Sequence, residues 1–139
     1  IHVSGHSAGA HLAAMAICEQ GKSLPADLIR SAFLLSGNYE LEPLRLSARN
    51  KILRLDEAAV ERNSPARRKP GGDTRIVVGW GGLESAQYQT QGRELALAWR
   101  ERGARCEEIV LPGLNHLEAP LELAEPGSAL VQSMLERMR

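Results

Sequence analysis

Residues 5–9, Gly5-His6-Ser7-Ala8-Gly9, constrain this chain more than any other stretch. An apolar run, Ile1-His2-Val3, leads in. An alanine-rich helical segment from 8 to about 20 leads out, and Gly21 is its natural stop. A strand that turns at once into a helix forces the corner residue into strained backbone. Strand and helix then lie so close that a Cβ two residues to either side is expected to clash, which calls for glycine. The same corner lifts the Ser7 hydroxyl above the sheet. It also points the helix N-terminus, with its partial positive charge, at the space beside that hydroxyl.

The rest of the chain keeps this alternation. Ala32-Phe33-Leu34-Leu35 is a second apolar run, closed by Ser36-Gly37-Asn38. A polar, proline-containing stretch follows, within which Asp56 is placed to cap a short helix to 62, ended by Asn63-Ser64-Pro65. Pro70-Gly71-Gly72-Asp73 is a loop, and 75–79 is a β-branched strand. Residues 87–102 read as a helix stopped by Gly103, and 106–111 as a strand broken by Pro112-Gly113. A final amphipathic helix spans 128–139, with Leu130, Val131, Met134, Leu135 and Met138 on one stripe. This order predicts an α/β fold, a mostly parallel sheet covered on both faces, within one domain over 1–139.

Composition removes several function classes. Lys plus Arg number 17 and Asp plus Glu number 17, so the net charge is zero and nucleic acid is a poor partner. The one basic cluster, Arg67-Arg68-Lys69, sits beside prolines and reads as a solvated loop. No apolar run approaches the roughly 18 residues of a membrane span, so no membrane partner is expected. No leader is visible, and the expected compartment is the cytoplasm. The chain starts with Ile rather than Met and enters a strand at once, so an N-terminal part is expected to be missing. Cys18 and Cys106 lack CxxC spacing and a neighbouring histidine in sequence, so free thiols are expected and a thiol nucleophile is not. The stripe on the last helix could pack on a second copy, giving a homodimer.

Ligands of parallel sheets bind beyond the carboxyl ends of the strands. There the four strands present Ser7, then Asn38-Tyr39-Glu40, then Gly81-Gly82-Leu83-Glu84-Ser85, then Pro112-Gly113-Leu114-Asn115-His116. A serine, an acid and a histidine thus stand in that order, each past a strand end. Their chemistry assigns the roles. His116 would take the proton from Ser7 and return it to a leaving group, and the acid would fix the imidazole tautomer and stabilise its charged form. The Ala8 N–H would stabilise an oxyanion. Glu84 is the preferred acid and Glu40 its rival; the plain alternative for Glu84 is an exposed loop carboxylate. His6 and Tyr88 are the expected substrate contacts, although His6 could instead simply shape the turn. His2, His6 and His11 have no metal-ligand spacing, so neither a metal nor a cofactor is expected.

The segments GHSAGAH, LSGNYELEPL (35–44), LRLDEAAVERNSP (53–65), GGLESAQYQTQGRELALAW (81–99) and LPGLNH together resemble the kynurenine formamidase-like α/β-hydrolases. These are relatives of the carboxylesterase group. The elbow is shared by many hydrolases; the LRLDEA…SP segment combined with the ES…Y…Q segment is far more specific. The resemblance implies an α/β-hydrolase fold with Ser7 as nucleophile, Glu84 as acid and His116 as base. It implies hydrolysis of a small ester or formamide, such as N-formylkynurenine. Tyr88 and Gln91 fit positions that follow the acid. Two departures stand out. The acid is Glu where many members have Asp, and Trp80 is unusual before the double glycine, either lining a pocket or packing. The resemblance also implies a second oxyanion amide from an HGG-type segment upstream of the elbow, and these 139 residues contain none. Loss of one such donor costs on the order of 100- to 1000-fold in rate. The chain is therefore expected to be the C-terminal portion of a longer hydrolase, and alone it would expose a sheet edge and aggregate.

Overall fold

The structure, a computed structural model, describes residues 1–138. Among them, β1 (His2–His6) passes into α1 (Ala8–Glu19) through the single residue Ser7. β2 (Ser31–Leu35) follows, then three short helices, α2 (Glu42–Arg45), α3 (Asn50–Leu53) and α4 (Glu57–Asn63), and a 3₁₀ turn at Pro65–Arg67. β3 (Arg75–Gly81), α5 (Ala86–Glu101) and β4 (Arg105–Leu111) complete the alternation. A 3₁₀ segment at Ala119–Ala124 leads to α6 (Ala129–Arg137). The expected last helix ran to Arg139, which lies outside the described residues.

The four strands form one parallel sheet in the order β1-β2-β3-β4. Its register aligns His6 with Leu35, Leu35 with Gly79 and Gly79 with Ile109, and β3 and β4 run on past that level to Gly81 and Leu111. Every loop that carries the candidate chemistry leaves from this carboxyl edge of the sheet.

The pleat decides which residues go where. Ala32, Leu34, Ile76, Val78 and Trp80 point to one face and join Ala14 and Ile17 of α1 and Leu95 and Trp99 of α5 in the main core. Trp99 is fully buried at little polar cost, because its indole N–H donates to the Pro65 carbonyl at 3.0 Å. Trp80 packs in this core and does not line a cleft. A Cβ at Gly92 would overlap its ring, which explains a glycine inside α5. Leu35 and Leu111 point to the other face and pack with Ala119 and Leu130, with Met134 partly buried beside them. The stripe on α6 is thereby divided: Leu130 and Met134 meet the sheet, while Leu135 and Met138 remain exposed.

Three expectations need correction. The polar stretch after β2 holds α2 and α3 as well as the expected α4, which Asp56 does cap by accepting from the Ala59 N–H at 2.6 Å. The basic cluster is not simply solvated, since Arg67 pairs with Glu40 and Glu61, and Arg68 with Glu19. The third, at Gly9, belongs to the elbow below. Among the described residues no helix is long and apolar enough to cross a membrane.

Candidate active site

The elbow is built from close approach. A Cβ on Gly5 would lie inside the backbone of Gly9 and Ala10, so only glycine lets α1 start against β1. Gly9 is different, because a Cβ there meets nothing within 4 Å. The clash expected on both sides of the corner therefore holds on one side only; Gly9 contributes the backbone that Gly5 must avoid. Ser7 sits at φ 56° and ψ −118°, a conformation unfavourable for a residue with a Cβ. Its N–H donates to the Leu35 carbonyl at 2.9 Å, pinning the corner to β2. Ala8 is the first residue of α1, so its N–H has no acceptor within the helix.

His116 reaches Ser7 from the loop after β4. Gly113 turns that loop at φ 75°. The Asn115 side chain then accepts from the N–H groups of Leu117 and Glu118 at 2.9 and 3.1 Å, a local turn that presents the next side chain inward. The loop after β3 is tied to it by Leu83 N–H donating to the Leu114 carbonyl at 3.0 Å. Across this junction His116 Nε2 lies 3.1 Å from Ser7 Oγ, and Nδ1 lies 2.9 Å from Glu84 Oε2. A carboxylate can only accept here, so Nδ1 carries the hydrogen and Nε2 is the acceptor for the serine O–H.

Glu84 is not an exposed loop carboxylate. Its side chain is fully buried, and Oε1 accepts from the Gly81 N–H at 2.8 Å and from the Ser36 hydroxyl. Ser36 is buried at the end of β2 with φ 54°, and its N–H donates to the Gly79 carbonyl at 2.8 Å. Sequence reading placed Ser36 only in a strand-closing turn. Its one available signal was a hydroxyl directly after a buried apolar run.

Glu40, the rival acid, goes elsewhere. Its carboxylate is held by Arg67 at 2.7 and 2.9 Å, and Oε1 also accepts from the Glu42 N–H at 3.0 Å. Burial raises its affinity for a proton, but the Arg67 and backbone hydrogen bonds outweigh this and hold it below the usual glutamate range. Gln91 borders the cleft that Tyr88 lines. It is buried and clamps the loop after β2, accepting from the Tyr39 and Glu40 N–H groups at 2.7 Å each and donating to the Glu40 carbonyl at 2.8 Å.

The two expected substrate contacts both lie against the histidine. The Tyr88 ring stacks on His116 with centroids 4.3 Å apart and planes 26° apart, and the His6 ring is tilted against it at 4.5 Å and 42°. Burial, with nearby His116, lowers the His6 pKa against a backbone contact with His116 and the Glu84 charge, which raise it. Tyr88 also lines a cleft of about 470 Å³ with Asn38, Pro43, Leu44, Ala48 and Arg49. The remaining histidines serve the fold: His2 bonds the Ser31 hydroxyl at 2.8 Å and His11 the Asn63 carbonyl at 2.7 Å. Cys18 and Cys106 are free and buried, and burial pushes their pKa values up to about 11 and about 12, away from nucleophilic use. Among the described residues, no group of three or more His, Cys, Asp or Glu could hold a metal ion.

No protein-family model matches the chain. It is 28% identical to a kynurenine formamidase of Danio rerio over 142 aligned positions, covering 98% of this chain and 48% of that protein. It is 29% identical to a kynurenine formamidase of Salmo salar, covering 99% of this chain and 49% of that one. The chain thus spans about half the length of the curated relatives it matches. A protein of Silicibacter sp. tm1040, provisionally called a thioesterase, superposes with a TM-score of 0.84 at 27% identity, over 95% of this chain and 49% of that chain. Carboxyl esterase 2 of Tuber melanosporum superposes at 0.64 and 20% identity, over 98% of this chain and 52% of that chain. The fold is that of an α/β-hydrolase. In α/β-hydrolase terms, β1 and α1 form the strand–elbow–helix unit, and the loops after β3 and β4 carry Glu84 and His116.

Proposed function

We propose that the chain carries the nucleophile, base and acid of a serine hydrolase that cleaves a small ester or formamide through an acyl-enzyme on Ser7. One observation carries this reading: the hydrogen-bond line from Ser7 Oγ through His116 to Glu84, at 3.1 and 2.9 Å. Ser7 Oγ attacks the carbonyl carbon as His116 Nε2 takes its proton. The buried Glu84 carboxylate stabilises the resulting imidazolium. The oxyanion is received by the Ala8 N–H, aided by the positive end of α1. The imidazolium returns its proton to the leaving alcohol or amine. Water, deprotonated by His116, then frees the acid from Ser7.

The similarity to kynurenine formamidases supports an aryl formamide such as N-formylkynurenine. Formyl would pass to Ser7, kynurenine would leave, and hydrolysis would release formate. The cleft beside Tyr88 adds support: Pro43, Leu44 and Ala48 give it an apolar side for an aryl group among polar neighbours, and Arg49 lines it with no ion-pair partner among the described residues. The test is turnover of N-formylkynurenine beside aryl acetates by the full-length protein and by Ser7→Ala. The expected result is formamide turnover that Ser7→Ala abolishes. Turnover of acetates alone would make the protein a general carboxylesterase. Failure of both substrates and of a fluorophosphonate probe would leave a non-catalytic protein on a hydrolase fold.

A further inference from the structure

A catalytic imidazole needs more than two hydrogen bonds. The Nδ1 and Nε2 contacts of His116 lie at the edge of the ring and hold its two nitrogens. They leave the faces of the ring without support against a tilt. A tilt turns the Nε2 lone pair away from Ser7, and displacements of about 1 Å at a reacting group cost on the order of 100-fold in rate. The tilt matters here because His116 stands on a loop and a quarter of its side-chain surface is exposed.

Two rings lie where they oppose that motion. Tyr88, from the first turns of α5, stacks on the imidazole with centroids 4.3 Å apart. His6, from the end of β1, leans on it at 4.5 Å. We propose that His6 and Tyr88 are positioning residues that brace the His116 ring and keep Nε2 aimed at Ser7. This rests on His116 being the base. It assigns both residues a task distinct from substrate contact, and it ties the base to the elbow and to α5.

Further observations favour a brace over simple filling. His6 Nε2 is buried without a hydrogen-bond partner, so the ring is kept in place by something other than that atom's own bonding. Burial and the neighbouring His116 lower the His6 pKa, which disfavours a second cation beside the base, while Glu84 faces it from the other side.

The test compares Tyr88→Phe, Tyr88→Leu, His6→Phe and His6→Ala, with Ser7→Ala in parallel, in the full-length protein. Steady-state kinetics are read beside the rate of labelling by a fluorophosphonate, which reports Ser7 reactivity with little dependence on substrate contacts. A brace predicts that Tyr88→Leu and His6→Ala lower kcat roughly 10- to 100-fold, with KM within about threefold and labelling slowed in parallel. Tyr88→Phe, which keeps the ring, stays within about threefold of the parent, and His6→Phe within about fivefold. A Tyr88→Leu protein with raised KM, unchanged kcat and normal labelling overturns the proposal in favour of substrate contact. So do ring-keeping variants that lose as much as the others. Thermal melting separates these outcomes from unfolding; should His6→Ala fail to fold, the partly exposed Tyr88 carries the test. Activity surviving in Ser7→Ala removes the triad reading itself, and the brace with it.

Discussion

Two carboxylates, Glu40 and Glu84, stand in equivalent places, each in the loop after a central strand of the sheet. Their surroundings separate them. Glu40 meets a guanidinium in two-point contact and is a quarter exposed beside α4. Among the described residues Glu84 meets no guanidinium; its partners are a hydroxyl, a backbone N–H and one imidazole, all in a buried setting. A carboxylate already neutralised by arginine has little left to offer an imidazolium. One satisfied only by neutral donors keeps its negative charge for the histidine, and low polarity strengthens that attraction. On the proposed reading the end of β3 serves the chemistry, while the end of β2 is a place where the fold is fastened.

The largest expected effect breaks the comparison on the Glu84 side. Glu84→Gln keeps the shape but offers the wrong partner to Nδ1–H, and kcat should fall on the order of 1,000- to 10,000-fold with KM little changed. Steady-state kinetics read this directly, and a loss below tenfold would return Glu40 to consideration.

Ser36→Ala should have a smaller effect. It removes one of the two fixed donors to Glu84 Oε1 and leaves a buried charge short of a partner. A kcat loss of about tenfold and a stability loss of about 1–3 kcal/mol by denaturant titration are expected. Unchanged kinetics with lowered stability would make Ser36 part of the scaffold alone.

The smallest effect sharpens the Glu40 side. Glu40→Gln should leave kcat within about twofold and cost no more than about 1 kcal/mol, since the Arg67 pair is partly solvated. Its pH dependence has a definite sign. The folded-state pKa of Glu40 is depressed, so its contribution is present above the ordinary glutamate value of about 4.3 and is lost as pH falls through the lower folded value. The melting difference between parent and Glu40→Gln should therefore be open at pH 7 and close below that value. A gap constant with pH would mean the carboxylate charge contributes nothing.

Local signals carried much of this architecture. The Gly5–Gly9 corner, the apolar runs of β2 and β3 and the Asp56 cap depend on near neighbours, and they stand where the sequence puts them. One-turn helices such as α2 and α3 are too short for a 3.6-residue period to show. Other features depend on partners far along the chain. Ser36 meets Glu84 across 48 residues, and His6 leans on His116 from the other end of the sheet. Spacing alone could rank Glu84 above Glu40, but Arg67 and Gln91 make the distinction, and nothing local to Glu40 announces either. Gly9 is the opposite case: the motif suggests a steric need on both sides of Ser7, and the structure places it at Gly5 alone.

The most direct test of the triad is peptide mapping of a fluorophosphonate adduct on the folded full-length protein, with Glu84→Gln alongside. The account predicts a single adduct on Ser7, formed rapidly in the parent and at least 100-fold more slowly in Glu84→Gln. A folded protein that leaves Ser7 unlabelled, or one labelled there equally fast without the Glu84 carboxylate, would contradict it.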